Sequence, residues 1–217
     1  MLGIIRVITM DSEEDVNKHG ALIRRRSGVE TLSACIPDQP EGVYDEATEA
    51  QASPKIVELA RELERRGCTA IGISCAADPA LEETRAAVGV PVYGAGSCAA
   101  RQALELAPRA GVLTILREAP PLIRGALGEA YIGTERPEGV VTTLDLQTPQ
   151  GQEAAIEAAL RLRNRGAEVV VLACTGFASI GFADQLRART GIVAVDPILA
   201  LGVEALRAGS AVASERP

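Results

Sequence analysis

Two cysteines, Cys75 and Cys174, stand 99 residues apart in segments that align without a gap. Leu63-Glu-Arg-Arg-Gly-Cys-Thr-Ala-Ile-Gly-Ile-Ser-Cys75 lies on Leu162-Arg-Asn-Arg-Gly-Ala-Glu-Val-Val-Val-Leu-Ala-Cys174, with Leu63/Leu162, Arg66/Arg165 and Gly67/Gly166 also matching. A duplicated thiol suits one kind of chemistry. Inverting a carbon without redox steps means taking a proton from one face and delivering one to the other. Two groups on opposite faces do this without reorienting the substrate, provided one is deprotonated and the other protonated. Cysteine fits both roles, because its reference pKa of about 8.5 lies close enough to neutrality for a local field to select either form.

The elements around the repeat place both thiols at the same topological point. Residues 4–10 and 111–117 read as opening strands, followed by helical stretches near 12–26 and 119–129. Residues 31–36 and 140–144 read as second strands. Helices are predicted over 53–66 and 151–165, with Ser53-Pro54 and Thr148-Pro149 placing a capping hydroxyl before a proline. Gly67 and Gly166 supply a residue that can end a helix at positive φ. The third strands, 68–74 and 167–173, are short apolar runs suited to a buried parallel sheet, and each leads to a cysteine. A helix (80–88 in the first half), a short strand (90–93, 192–195) and a last helix follow in each half. Ligands bind at the carboxyl edge of open parallel sheets. If the halves are related by a pseudo-two-fold axis, Cys75 and Cys174 face each other across one cleft. The predicted lobes are 1–96 with 198–217, and 97–197.

Other residues carry weaker signals. Gly94-Ala-Gly-Ser97 could offer backbone donors to a substrate oxygen, but it lacks the third glycine and distant acid of a dinucleotide loop. Backbone N–H groups just after each cysteine, where a helix begins, could stabilise a thiolate. Asp78 or Pro79 is expected at the start of the helix after Cys75. Cys35 and Cys68 read as small core residues, and Cys98, after the glycine loop, is a rival reactive thiol. The single histidine, His19, is expected on the surface. Arg24-Arg25-Arg26 reads as charge complementing a helix C-terminus.

Ile73-Ser-Cys-Ala-Ala-Asp-Pro-Ala-Leu-Glu-Glu-Thr-Arg85, Val90-Pro-Val and Val171-Leu-Ala-Cys-Thr-Gly176 resemble the aspartate/glutamate/hydantoin racemase superfamily, and its hydantoin racemase branch most closely. The resemblance runs through nearly the whole chain. It implies an α/β fold of two pseudo-symmetric lobes, each a four-stranded parallel sheet flanked by helices, with the active site between them. It also implies catalysis by Cys75 and Cys174 without cofactor or metal.

Departures from the family patterns choose the branch. Glutamate racemases are expected to show Asp-Ser-Gly after the first strand, Cys-Asn-Thr at the first cysteine and Cys-Thr-His at the second. Here the corresponding residues are Asp11-Ser12-Glu13, Cys75-Ala76-Ala77 and Cys174-Thr175-Gly176. The alanines give no side-chain partner to an ammonium or carboxylate, whereas a neutral ring such as a 5-substituted hydantoin needs only amide donors and an apolar pocket. Hydantoin racemases often carry Asn-Pro-Asn-Thr where this chain has Thr9-Met10-Asp11-Ser12. The expected substrate-binding residues are Thr9, Ala76, Ala77, Gly96, Ser97, Thr175 and Gly176.

Composition narrows the partners. A net charge of −7 and 2% aromatic residues argue against nucleic acid, which is held by clustered cations and stacking rings. No run is long enough to read as a membrane span, and the start of the chain lacks a basic leader, so a cytoplasmic protein is expected. The odd number of cysteines, without C-x-x-C, fits reduced thiols and no zinc site. The expected partners are a small-molecule substrate and further copies of the chain. Alternatives are an amino-acid racemase, an isomerase that adds one cysteine to a double bond, and a non-catalytic binding protein. Related decarboxylases keep only one of the two cysteines.

Overall fold

The computed structural model describes residues 1–214, with side chains over 1–208. Two compact units are formed, one of Met1–Ala95 completed by the chain from Leu201 onward, the other of Gly96–Ala200. Residues 215–217 of the first predicted lobe lie outside the described residues.

The first unit alternates β1 (Leu2–Arg6), α1 (Glu13–Ser27), β2 (Thr31–Cys35), α2 (Glu46–Arg65), β3 (Ala70–Ser74), α3 (Leu81–Ala87) and β4 (Val92–Gly94). Its strands are parallel in the order β2-β1-β3-β4, and α4 (Ala95–Leu106) follows β4. The second unit repeats the plan with β5 (Ala110–Leu113), α5 (Pro121–Leu127), β6 (Tyr131–Glu135), α6 (Pro149–Asn164), β7 (Val169–Leu172), α7 (Gly176–Ser179), α8 (Phe182–Thr190) and β8 (Val193–Val195). Its order is β6-β5-β7-β8, again all parallel. The last helix, α9 (Pro197–Ser214), carries the chain back to the first unit. This is the predicted fold class.

Parallel strands lie inside because helices cover both faces of the sheet. β1, β3, β5 and β7 are accordingly buried at every residue. α2 buries Ala52, Ile56, Leu59, Ala60 and Leu63, which join Ile5, Ile71 and Ile73 in one apolar cluster. Each fully buried Leu or Ile contributes about 1.5–3 kcal/mol. Thr148 caps α6 as its sequence predicts, accepting from the Gly151 N–H at 3.0 Å with Pro149 as the first helical residue. Gly67 and Gly166 leave α2 and α6 at φ +87° and +101°.

Two predicted elements are corrected. Residues 140–144 do not form the second strand of the second unit; β6 is Tyr131–Glu135, and 141–144 form an exposed loop. Two arginines fix β6, Arg161 of α6 and Arg165 at its C-cap pairing with Glu135 at 2.8 and 3.0 Å. Gly133 leaves room for the Arg165 guanidinium, which a Cβ there would overlap. The second correction concerns α2, which starts at Glu46 and carries Pro54 inside it. Asp45 and Thr48 form a reciprocal cap ahead of the proline, the Thr48 N–H donating to Asp45 Oδ1 at 2.8 Å and the Asp45 N–H to Thr48 Oγ1 at 3.1 Å.

Candidate active site

In the first unit Cys75 directly follows β3 and is half-buried. Its carbonyl accepts the Asp78 N–H at 3.1 Å, so the chain turns at once after the thiol. Ala76 is buried in this turn and Ala77 half-buried. Asp78 and Ala80 hold φ of +54° and +53°, a left-handed conformation that aspartate tolerates better than alanine. The Asp78 carboxylate is buried directly over Gly94, at the end of β4, where any Cβ would overlap it. A glycine on the neighbouring strand therefore seats the turn that carries Cys75.

Thr9 lies at the same edge. Its hydroxyl donates to the Ile36 carbonyl at 2.8 Å and accepts the Gln39 N–H at 2.7 Å, joining the loops that follow β1 and β2. Gly96 and Ser97 do not form a loop; they lie in the first turn of α4, Gly96 buried and Ser97 half-buried.

His19 overturns its expectation. It is only 2% exposed, and its Nδ1 shares a 2.7 Å hydrogen bond with the Oγ of Ser74, the residue before Cys75. Burial, then the positive charges of Arg6 and Lys18, hold its imidazole well below the usual histidine range. Its spacing of four from buried Ile23, on one face of α1, is the signal that could have placed it inside.

In the second unit the Ala173 N–H donates to the Leu113 carbonyl at 2.7 Å, extending β7 to the residue before Cys174. The short helix α7 then starts beneath the thiol. Buried Phe177 and Phe182 lock it to α8, with ring centroids 4.9 Å apart. The Phe177 N–H donates to the Cys174 carbonyl at 3.2 Å, and the backbone N–H groups of Gly176 and Phe177 favour the charged form of the thiol. Although the residue is only half-buried, desolvation of its sulfur outweighs them and pushes the thiol up to about 11, so the resting form of Cys174 at neutral pH is the thiol.

Thr143, which the sequence reading placed in a strand, packs against Gly176 from the 141–144 loop. Asp145 pins that loop, its Oδ2 accepting the N–H groups of Val141 and Thr142 at 2.9 and 2.7 Å. Thr175 precedes α7, and its side chain makes no cap to it. Among the described residues, no group of three or more His, Cys, Asp or Glu is arranged to hold a metal ion, and no helix is long and apolar enough to cross a membrane.

Each unit thus presents one cysteine at the carboxyl end of its third strand, on a turn fixed by the local fold. Two parallel four-stranded units built this way define a duplicated α/β fold. The model of the Asp/Glu/hydantoin racemase family matches residues 14–205, and the chain belongs to that family. No curated protein matches it by sequence. In fold it is similar to allantoin racemase from Klebsiella pneumoniae, with a TM-score of 0.81, 24% identity and coverage of 96% of this chain and 88% of that one. Allantoin racemase from Pseudomonas fluorescens superposes with a TM-score of 0.82, 22% identity and coverage of 96% and 91%. A glutamate racemase from Bacillus anthracis gives 0.70, 15%, 95% and 80%.

Proposed function

We propose that this racemase inverts the C5 carbon of 5-substituted hydantoins, with Cys75 and Cys174 as its two acid/base groups. The observation that carries this reading is the equivalent placement of the thiols, each following the third strand of its own unit. In one direction the Cys75 thiolate takes the C5 proton, and the electron pair spreads onto the neighbouring ring carbonyl. The Cys174 thiol then delivers its proton to the opposite face and becomes the thiolate. The reverse direction exchanges the roles, and no electrons are gained or lost. A Cys174 held protonated by burial is the proton donor this direction requires.

The ring substrate is supported by what surrounds the thiols. Ala76, Ala77 and Gly176 offer backbone N–H groups and small apolar surface rather than charge. Allantoin, named for two of the fold neighbours, is itself a hydantoin bearing a ureido group at C5. Thr9, Gly96, Ser97 and Thr175 complete the proposed substrate contacts. A small-molecule substrate, a cytoplasmic setting and self-association belong to the same reading.

Deuterium incorporation tests it. In D₂O the intact protein should give inverted product carrying deuterium at C5. Cys75→Ser should still exchange one enantiomer, with retention, through Cys174. Cys174→Ser should do so for the mirror enantiomer, because a serine hydroxyl is far less acidic than a thiol. If both variants exchange both enantiomers equally, or neither exchanges any, the two-base reading fails. Turnover of free aspartate or glutamate but of no hydantoin would overturn the substrate class.

A further inference from the structure

The proposed proton relay gives His19 no part, yet the fold buries its imidazole and hydrogen-bonds it to the residue that precedes Cys75. His19 Nδ1 and Ser74 Oγ are 2.7 Å apart, and Ser74 is the last residue of β3, bonded through one peptide to Cys75. A second polar tie lies next to it. Arg6 is the register partner of Ser74 on β1; it is buried, and its guanidinium donates to the Asp15 and Val16 carbonyls of α1 at 2.6 and 3.3 Å. The residues that α1 buries are His19, Gly20 and Ile23, so Ile23 is its one large apolar anchor. Gly20 admits the close approach, since a Cβ there would meet Ser33 Oγ at 2.5 Å. Side-chain hydrogen bonds at the carboxyl edge of the sheet therefore fix the angle and height of α1 as much as apolar packing does. The imidazole is neutral here, because burial and the Arg6 charge disfavour its protonation. The bond to Ser74 is thus neutral to neutral, short and directional.

We propose that His19 and Ser74 are a positioning pair, which fixes the peptide from which Cys75 projects and makes proton transfer on the Cys75 face depend on α1. The inference rests on Cys75 being one of the two acid/base groups. Neither residue touches substrate in this account. They act by holding the sulfur where its proton-transfer distance is short, and small displacements at such a position cost rate steeply.

The test uses C5 deuterium exchange of each enantiomer of 5-benzylhydantoin, measured in two backgrounds. In Cys174→Ser, where only Cys75 can act, His19→Leu and Ser74→Ala should each lower the exchange kcat about tenfold with KM nearly unchanged. His19→Asn, whose amide can stand near the place of Nδ1, should recover most of that loss. In Cys75→Ser, where only Cys174 can act, the same substitutions should change exchange by less than about twofold. A merely structural role would slow both faces together, and equal losses in the two backgrounds would overturn the proposal. So would unchanged exchange on the Cys75 face. Should His19→Leu fail to fold, Ser74→Ala removes a single oxygen and carries the same comparison. If the two parent variants, folded, exchange nothing, the two-base reading itself has failed and the pair falls with it. If the parents exchange opposite enantiomers as expected and His19→Leu has no effect, the pair alone is wrong.

Discussion

The Thr143 methyl stands 3.0 Å from the point where a Cβ on Gly176 would lie, and the Cys174 sulfur stands 3.3 Å from the same point. Both distances are too short for a methyl group without movement of one neighbour. Gly176→Ala should therefore displace either the 141–144 loop or the thiol, lowering kcat/KM about tenfold. Adding Thr143→Ser, which removes that methyl, should restore most of the loss. Steady-state polarimetry on the single and double variants decides it. A double variant no better than the single one would show that the strain lies elsewhere.

On the other unit the equivalent sensitivity lies at Gly94. Gly94→Ala would drive a methyl into the Asp78 carboxylate, which is buried and held in a left-handed turn. A destabilisation of about 2–3 kcal/mol is expected, the upper part of the range for overpacking. Activity should fall further than stability alone explains, because the same turn carries Cys75. Urea denaturation alongside kinetics separates the two effects. An unchanged unfolding midpoint would contradict the packing described here.

The five cysteines should divide cleanly. Cys75→Ala and Cys174→Ala should abolish racemisation. Cys35→Ala, Cys68→Ala and Cys98→Ala should keep substantial turnover. Cys68 and Cys98 are buried, so their loss should appear as a melting temperature lower by a few degrees, equivalent to about 1 kcal/mol. A folded but inactive Cys98→Ala would move the second acid/base role to that residue.

The high position of the Cys174 thiol also sets a pH dependence of stability. Unfolded, a cysteine loses its proton near pH 8.5. Folded, Cys174 keeps it to about 11. Between these values the unfolded chain binds fewer protons, so stability is present below about pH 8.5 and is lost as pH rises toward 11. Burial also raises Cys35 and Cys68, which act in the same direction. The useful quantity is therefore the difference between the parent and Cys174→Ala. Urea unfolding at several alkaline pH values should show the parent losing stability faster. Parallel curves would mean that the thiol is not shifted in the folded chain.

The two cysteines were legible in the sequence because duplication is visible there, and a strand that ends at equivalent residues needs no tertiary information to be found. The helix signal at Thr148-Pro149 was equally local and held. What misled was intrinsic preference where long-range contacts decide. Val140-Val-Thr-Thr-Leu is a better isolated strand than Tyr131-Ile-Gly-Thr-Glu. The latter wins through pairing with β5 and through Arg161 and Arg165 at the end of α6, which are about thirty residues away in the chain. Ser53-Pro54 was a plausible start for α2 until the cap at Asp45 outranked it. His19 was misplaced for a different reason. A histidine on a charged helix looks solvated, and its spacing of four from Ile23 is a weak signal until the Ser74 hydroxyl on another element is seen.

Leu201 lies on the first unit's side of the chain's last crossing, and it packs at 3.3 Å from the Cβ position of Gly72 on the central strand β3. Its neighbour Gly202 lies against Ile23 of α1. This arrangement has a consequence for biosynthesis. Domains generally fold as they leave the ribosome, amino-terminal first. Here residues 96–200 form a compact unit from one continuous stretch of chain. The sheet that emerges before them, with α1 on part of one apolar face, waits for a helix made after both to complete its cover. The half translated first is the half finished last.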